Sequence, residues 1–568
     1  MIDSNRLIEI VKSGESLDRE FKSDRRMIND REIYEEVVAF ANTSGGVLLI
    51  GVEDDGTITG AKPRHDKTTD PLKLQSAIFN NTVPNINTRI SLVPAENGIV
   101  LAIEVDQYPE PCATSEGKSL HRTIKADGKP QTVPFYPRDQ RSRRVDLGLL
   151  DFSAQTIEGV SFGNLDPLEF ERLRQTIMRL RGDRSLLELS DEEIAKALRL
   201  VESKDGQLVP NVAGLLLLAK EDVLRDKIPT HAVHFQVFDD QSNVRVNDVF
   251  RYPLIRLLFE VESRFSARVE EDEVSVGFYR VPIPDYSLDG FREAINNAVL
   301  HRDYTRMDAV YVQWHRDHIL ITSPGGLPPG ITIDNILVHE PKSKNPLLAE
   351  AFKRIGIIEQ TGRGVDKIFM GQLRYGRPPP DYRRSDMTGV RVILNGGEVS
   401  RQFSAFVYER ERQGHRLTLE EMILLNILYL YQRIDLISAQ RAIQRDSAEA
   451  QRILDALRSD GLIVTSQKGD PQIYELSLGM KKKLGLSVAA ARLDGFDIIR
   501  QEELVMEYIS AHGRITRGEV MQLLEISDTK ARRVLERMRA ENKLKQEGKP
   551  PRWVYYVPTN LDESADNL

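Results

Sequence analysis

Apolar residues recur at helical spacing over residues 4–12, through Leu7, Ile8 and Val11, and over 32–40, through Ile33, Val37 and Val38. Gly45-Gly46 then leads into the unbroken apolar run 47–52, the length of a buried strand. Glu53-Asp54-Asp55-Gly56 closes that run with turn chemistry, and 57–60 is expected as its hairpin return. Strands at 88–93 and 99–105 complete a mixed α and β segment over residues 1–140. Residues 141–164 are arginine-rich and then poorly periodic, and are expected as a linker. Helical periodicity follows at 170–180, 190–198 and 210–218. Strand-like segments at 231–238, 278–283, 309–314 and 318–322 bracket a strong helix at 288–301, so 165–400 is predicted as one α/β domain with a helical lead-in. The remainder repeats one pattern twice, over 415–485 and 498–560: helix, helix, helix, then two short strands. Its helices are expected at 419–432, 438–444 and 447–459, with strands at 462–465 and 472–476. In the second copy the third helix spans 527–541 and the strands 544–546 and 553–557. Thr418 with Glu421, and Thr516 with Glu519, have the spacing of capping boxes, in which each side chain satisfies the other's orphan amide. That pattern predicts two winged helix-turn-helix modules, with an acidic tail at 561–568.

Composition narrows the class. A chain of 568 residues suggests several domains, and 40% apolar with 29% charged residues is ordinary globular composition. The formal net charge of −8 means that any basic surface must be local. The single cysteine, Cys112, excludes an internal disulfide and suits a reducing, cytoplasmic location. No apolar stretch approaches the roughly 20 residues of a membrane helix, and residues 1–16 lack the apolar core of a secretion signal. The ten histidines show no paired metal-ligand spacing.

Three groups of residues could carry chemistry. The first is acidic: Glu15 and Glu20, with Asp54 and Asp55 after the Gly-Gly strand. If 20–22 is extended, Glu20 and Lys22 share a face, because side chains alternate along a strand. Separated carboxylates of this kind can hold Mg²⁺ or Mn²⁺ and activate water against a phosphodiester; they can equally be surface carboxylates beside a turn. The motifs Glu15-x4-Glu20-Phe-Lys22, Ala39-Phe-Ala-Asn-Thr-Ser-Gly-Gly46 and Ile50-Gly-Val-Glu-Asp-Asp-Gly56 resemble the Schlafen/AlbA-like nucleic-acid-binding domain. The resemblance covers about 130 residues. It implies an α+β domain, and in nuclease-competent members Glu15, Glu20 and Asp54 would be the cutting site, with Asp55 an equally close third ligand. Many members are DNA-binding regulators instead.

The second group lies on the 288–301 helix. Glu293, Asn297 and His301 stand at i, i+4 and i+8, one polar stripe beside Ile295 and Val299. A glutamate can polarise a water and an asparagine can offer its amide oxygen to a phosphate-bound Mg²⁺, though such stripes are also simply solvated. Glycines follow at Gly325-Gly326 and at Gly362 and Gly364, where backbone amides could approach phosphates. Glu293-x3-Asn297, Pro324-Gly-Gly-Leu-Pro328, Lys344-Asn-Pro346 and Ile358-Glu-x2-Gly-x-Gly364 resemble the GHKL-type ATPase half of RecG-like transcriptional regulators. The resemblance implies a GHKL-like α/β sandwich that binds ATP with Mg²⁺. Glu293 would be the water-activating base and Asn297 the Mg²⁺ ligand, with His301, Gly325, Gly326, Gly362 and Gly364 around the nucleotide. Ser323 or Pro324 stands near the place where that family carries an adenine-recognising aspartate. The chain has no Gly-x4-Gly-Lys-Ser/Thr loop, so a helicase motor would lack its phosphate cradle.

The third group is basic. Nine basic and three acidic residues between Lys530 and Arg552 leave a local +6. Val534, Leu535 and Met538 form an apolar stripe, and Lys530, Arg533 and Arg537 lie on the other side, as on a recognition helix facing DNA. A charged helix in a protein-binding module would look the same.

Together these features define an α+β multidomain protein for which two functions are open. One is an ATP-responsive DNA-binding transcriptional regulator. The other is a metal-dependent RNA or DNA nuclease gated by ATP, in anti-phage defence. ATP, Mg²⁺ or Mn²⁺, nucleic acid and a second copy of the chain are the expected partners, with no membrane.

Overall fold

The computed structural model describes every residue except 1, 65–66, 96, 125–128, 277–278, 329, 360–363, 397–399, 466–471, 487–501, 503–504, 507, 510–513, 524–527, 541–542, 550–551 and 559–568. The expected acidic tail therefore lies outside the described residues, as does Gly362. The chain divides into two compact units: residues 1–141 with 497–568, and residues 142–496.

In the first unit the order is Ser4–Ser13 helix, Arg19–Lys22 strand, Asp30–Ala41 helix, Gly46–Ile50 strand, Pro71–Asn80 helix, then strands Thr88–Ala95 and Gly98–Val105. The four strands form one sheet in the order 19–22, 46–50, 98–105, 88–95, its first pair parallel and the rest antiparallel. Period-two alternation separates two cores. Leu48, Ile50, Leu101 and Ile103 pack with Ile33, Val37 and Phe40 of the 30–41 helix. Phe21, Leu49 and Ala102 face the other way and pack with Leu7 of the first helix. Glu20 is opposite Leu48 and Lys22 opposite Ile50, so both stand on the face that carries the 30–41 helix. A hairpin of Leu120–Ile124 with Pro130–Pro134 follows.

The expected return at 57–60 is present but short: Val52 and Ile58 form an antiparallel bridge, Glu53 N–H donates to Thr57 O at 2.9 Å, and Thr59 N–H donates to Gly51 O at 2.9 Å. Gly51 sits at φ +93°, and a Cβ there would lie 2.4 Å from the backbone of Gly60 and Ala61. The returning chain passes so close to Gly51 that no Cβ fits there.

The other segment of this unit contains helices Arg517–Leu523 and Asp528–Ala540 and a hairpin of Leu544–Lys549 with Arg552–Pro558. Val505, Ile509, Ile515, Val534, Leu535 and Met538 form its core. The Thr516–Glu519 capping box is made: Thr516 N–H donates to Glu519 at 2.6 Å and Glu519 N–H to Thr516 Oγ1 at 3.3 Å.

The second unit is built on a five-stranded sheet in the order Val244–Phe250, Val233–Phe238, Val310–Trp314, His318–Pro324, Gly389–Asn395. Helices Leu254–Ser266, Leu288–Leu300, Pro346–Ile355 and Gly364–Leu373 share its core, where the Phe265 and Phe291 rings stack at 3.9 Å. The expected strand near 278–283 belongs elsewhere: Tyr279–Pro284 pairs with Glu271–Val276 in a separate hairpin. Residues 141–164, expected as a linker, are packed. Within them Asp146 pairs with Lys344, and Asp151 accepts the N–H of Leu347 at 2.9 Å. Leu173, Ile177 and Leu215 of the helical lead-in belong to the same core as the sheet.

After the Arg401–Arg412 helix come helices Leu419–Tyr431, Leu436–Ile443 and Ser447–Ser459. A small sheet pairs Ile473–Leu476 with both Arg433–Asp435 and Ile463–Thr465. The Thr418–Glu421 capping box starts the first of these helices, with bonds of 2.8 and 3.2 Å.

Candidate functional site

The Leu288–Leu300 helix begins where Ser287 accepts the N–H of Gly290 at 3.2 Å. It passes close to the Gly364–Leu373 helix because Gly290 and Gly371 face each other; a Cβ on Gly371 would sit 2.9 Å from Ser287. This crossing brings Gly364 against Glu293, where a Cβ on Gly364 would overlap the carboxylate. Gly364 is thus required by the glutamate's position.

Glu293, Asn297 and His301 line one cavity of about 260 Å³, as the i, i+4, i+8 stripe predicts. Ser323, Lys367 and Tyr382 join them on its walls. Glu293 is only 8% exposed. Burial pushes its carboxyl above the ordinary range; the Lys367 ammonium and a hydrogen bond with Asn297 work against that shift, and the Glu359 charge adds to it. Burial likewise raises the Tyr382 hydroxyl, helped by the charge of Glu293. His301 is pushed down to about 4, first by its enclosure and then by the Lys344 charge, so its imidazole is neutral. Its Nδ1 is buried and, among the described residues, has no hydrogen-bond partner. A half-enclosed, mostly apolar chamber with a few convergent polar groups is the form of a small-molecule site. Here the polar groups can hold a cation-bound phosphate and place a proton acceptor beside it.

The Gly325-Gly326 turn has another task. Neither glycine lines the cavity. Gly325 sits at φ +93°, donates its N–H to Thr388 O at 2.8 Å, and has Asp303 where a Cβ would go. Ser323, near the place of the family's aspartate, donates its hydroxyl to Ala298 O at 2.6 Å. In the Lys344-Asn345-Pro346 motif, Asn345 Nδ2 donates to the carbonyls of Leu300 and Arg302 at 2.8 and 2.9 Å, fixing the chain on both sides of His301.

The N-terminal carboxylates are placed differently. Glu15 accepts the N–H of Phe21 at 3.0 Å. Burial raises its carboxyl, the Phe21 bond opposes, and the charges of Glu20 and Asp54 add to the rise. Asp54 is exposed in its turn, whereas Asp55 is tied into that turn by accepting Thr57 N–H at 2.8 Å. Glu20 is occupied on both oxygens, by Lys22 at 2.6 Å and by Arg122 at 2.7 Å. Glu36, on the Asp30–Ala41 helix, completes a square: it accepts from Lys22 at 3.1 Å and from the Thr132 hydroxyl at 2.8 Å, with Arg122 at 3.5 Å. Burial lowers the Lys22 ammonium, but Glu36 and Glu20 outweigh it and drive it up to about 12. Arg122 also donates to the carbonyls of Ser16, Leu17 and Arg19 and lies over the Phe40 ring at 4.7 Å. Among the described residues, no three His, Cys, Asp or Glu are arranged to hold a metal ion.

Sequence reasoning found Glu20 and Lys22 but not Glu36 or Arg122. A glutamate three and four residues before Ala39 and Phe40 of an amphipathic helix, and an arginine beside His121, gave no local signal of a shared site. The basic helix also differs in part. Arg533 is exposed, but Arg537 is half-buried and bonded to Glu502 at 2.7 Å, and Lys543 reaches the other oxygen of Glu502 at 2.7 Å. Of Lys530 the backbone is helical and its side chain lies outside the described residues.

A family model for the Schlafen AlbA_2 domain matches residues 15–129, the stretch that holds Glu15, Glu20, Lys22, Glu36, Asp54 and Arg122. The model described as the C-terminal part of the ATP-dependent DNA helicase RecG, HATPase_c_4, matches residues 308–394. The chain is a fusion of a Schlafen AlbA_2 domain and a RecG-type HATPase domain. The two domains are of nucleic-acid-binding and ATP-related types. The HATPase match takes in Ser323, Gly325, Gly364 and Tyr382 but begins after the Leu288–Leu300 helix. A domain of unknown function (DUF8451) matches residues 144–234, which include the helical lead-in. The crystal structure of the DIP2311 protein from Corynebacterium diphtheriae is similar at 22% identity and a TM-score of 0.49, covering 84% of this chain and 98% of that one. No curated protein matches the chain. Among the described residues, no helix is long and apolar enough to cross a membrane.

Proposed function

We propose that this protein is an ATP-responsive, nucleic-acid-binding regulator. The observation that carries the proposal is the buried Glu293 beside the half-buried Asn297 on the wall of a 260 Å³ cavity, with Gly364 against the carboxylate. In this reading Asn297 would hold a Mg²⁺ ion that arrives with the triphosphate, and the ion would supply charge neutralisation to the phosphates. Glu293 accepts a proton from a water, and its burial keeps that carboxyl more basic than a free one. Lys367 and Lys353 add positive charge to the cavity wall. No phosphate-loop signature accompanies the site, so the proposal excludes a translocating helicase motor.

The Schlafen domain is proposed as a binder and not a cutter. The pairing of Glu20 with Lys22 and Arg122 supports a binding role over a metal site formed by Glu15, Glu20 and Asp54. The helix–strand arrangements of 415–485 and 517–558 support a reading as winged helix-turn-helix modules. In the second, Arg533 would contact phosphate, while Arg537 is held by Glu502. ATP would favour one set of nucleic-acid contacts by a differential affinity, on the order of 1–3 kcal/mol.

The test measures binding of labelled duplex DNA, single-stranded DNA and tRNA with and without ATP and Mg²⁺, and scores cleavage in Mn²⁺ in the same tubes. A severalfold change in nucleic-acid affinity with ATP and intact substrate support the regulator. Metal-dependent cleavage that disappears in Glu20→Ala would replace it with the nuclease.

A further inference from the structure

The nucleotide reading leaves one wall of the cavity to be explained. Ile331, Ile336, Leu337 and His339 line it from a segment, 331–340, that has neither helix nor strand. Its own hydrogen bonds are short-range: Ile331 N–H to Pro328 O, Thr332 N–H to Asn335 Oδ1, Asn335 Nδ2 to Gly330 O and His339 N–H to Asn335 O. Two bonds are different. Leu337 N–H donates to Gln444 Oε1 at 2.9 Å, and Gln444 Nε2 donates to Ile333 O at 2.8 Å. One amide therefore grips the wall at two points, and among the described residues these are its only hydrogen bonds to a distant part of the chain.

Gln444 is the residue that ends the Leu436–Ile443 helix, in the left-handed conformation at φ 56°. The helix belongs to the 415–485 module, so that module holds the cavity wall directly. A second space supports the same connection. A groove of about 990 Å³ shares Leu337, Glu359, Asp366 and Lys367 with the cavity, and Arg416, Glu420 and Arg445 of the module line its other side.

We propose that Gln444 is a positioning residue of the nucleotide site, and that the 415–485 module is mechanically part of that site through it. The inference rests on the nucleotide reading and adds the route by which occupancy reaches the module. A ligand that presses on Leu337 or Ile336 changes the two bonds to Gln444; a partner that shifts the 436–443 helix changes the wall. By linkage the two effects are equal in free energy.

The experiment is hydrogen exchange on the full-length protein with and without ATP and Mg²⁺, for wild type and Gln444→Ala, alongside ATP affinity by calorimetry. In the wild type ATP slows exchange both in 331–340 and in 436–445. In Gln444→Ala ATP binds roughly three- to tenfold more weakly, the effect of losing one or two modest hydrogen bonds, and protection of 436–445 disappears. A generally loosened protein would lose protection without regard to ATP, so the ATP-dependent difference isolates the coupling. Gln444→Asn, one methylene too short to reach both partners, serves if the alanine variant does not fold and carries the same expectation. Unchanged affinity with wild-type protection in both segments overturns the role of Gln444 alone. A wild type that binds no ATP overturns the nucleotide reading and this inference with it.

Discussion

Replacing Arg122 by glutamine tests the reading of the Schlafen domain most severely. The Arg122 side chain is fully buried and Glu20 and Glu36 are 13% and 12% exposed, so solvent screens their pairing little. Removing one partner from a buried ion pair costs about 3–5 kcal/mol, because the charge left behind stays desolvated. Lys22 remains to hold both carboxylates, which argues for the lower end. The carbonyls of Ser16, Leu17 and Arg19 also lose a donor, at about 1 kcal/mol each, which argues for the upper end. At a few degrees per kcal/mol for a domain of this size, the unfolding transition of residues 1–141 should fall by roughly 10 °C or more. Arg122→Lys keeps the charge but not the planar fork that reaches five acceptors at once, and should recover less than half of the loss. Scanning calorimetry of the full-length protein reads the transitions. A shift of less than about 3 °C, equivalent to under 1 kcal/mol, would mean that the network is not what fixes Glu20, and the argument against a metal there would fall.

Three further outcomes follow from particular contacts. Gly364→Ala places a methyl group where the Glu293 carboxylate lies, so it should cost about 1–3 kcal/mol in stability and weaken ATP binding, read by urea unfolding and calorimetry; a neutral effect on both would remove Gly364 from the site. Arg533→Ala should reduce the salt slope of duplex binding by about 0.9, whereas Arg537→Ala should mainly lower stability by freeing the buried Glu502; identical salt-slope effects would contradict that division. His231 and His301 are both held down to about 4 by burial. As pH falls from about 6.5 towards 4 the unfolded chain takes up protons that the folded histidines refuse, so stability declines by up to about 1.4 kcal/mol per unit for each. His301→Asn should flatten its share of that decline in pH-dependent unfolding, and an unchanged pH profile would show that His301 is not the enclosed neutral imidazole described here.

What was legible in the sequence was local. The stripe Glu293, Asn297, His301 reads directly from helical periodicity, and Glu20 with Lys22 from strand alternation, and both sets stand where that arithmetic puts them. The partners that decide their chemistry lie far along the chain. Arg122 meets Glu36 only because the 120–124 strand and the 30–41 helix are brought to the same place, a matter of tertiary packing with no sequence period. The role of Gly364 was read as freedom to approach phosphate, yet its neighbour is Glu293; both demand the absence of a Cβ, so composition alone does not separate them. Strands Val244–Phe250 and Gly389–Asn395 stand at the two edges of the sheet, and the outer side of the second is met by a bridge from Asp381 to Ile393. Arg537 looked like a free cation because its helix face is basic, and its counter-ion, Glu502, precedes it by 35 residues.

The central claim is that the Glu293–Asn297 cavity binds ATP with Mg²⁺. Isothermal calorimetry of ATP into the wild type, Asn297→Ala and Glu293→Ala, with phosphate release followed on the same samples, tests it. The account predicts binding by the wild type, at least about tenfold weaker binding by Asn297→Ala as the cation loses a protein oxygen, and near-wild-type binding without hydrolysis by Glu293→Ala, since a base acts on the barrier. Equal ATP affinity in the wild type and Asn297→Ala would contradict it.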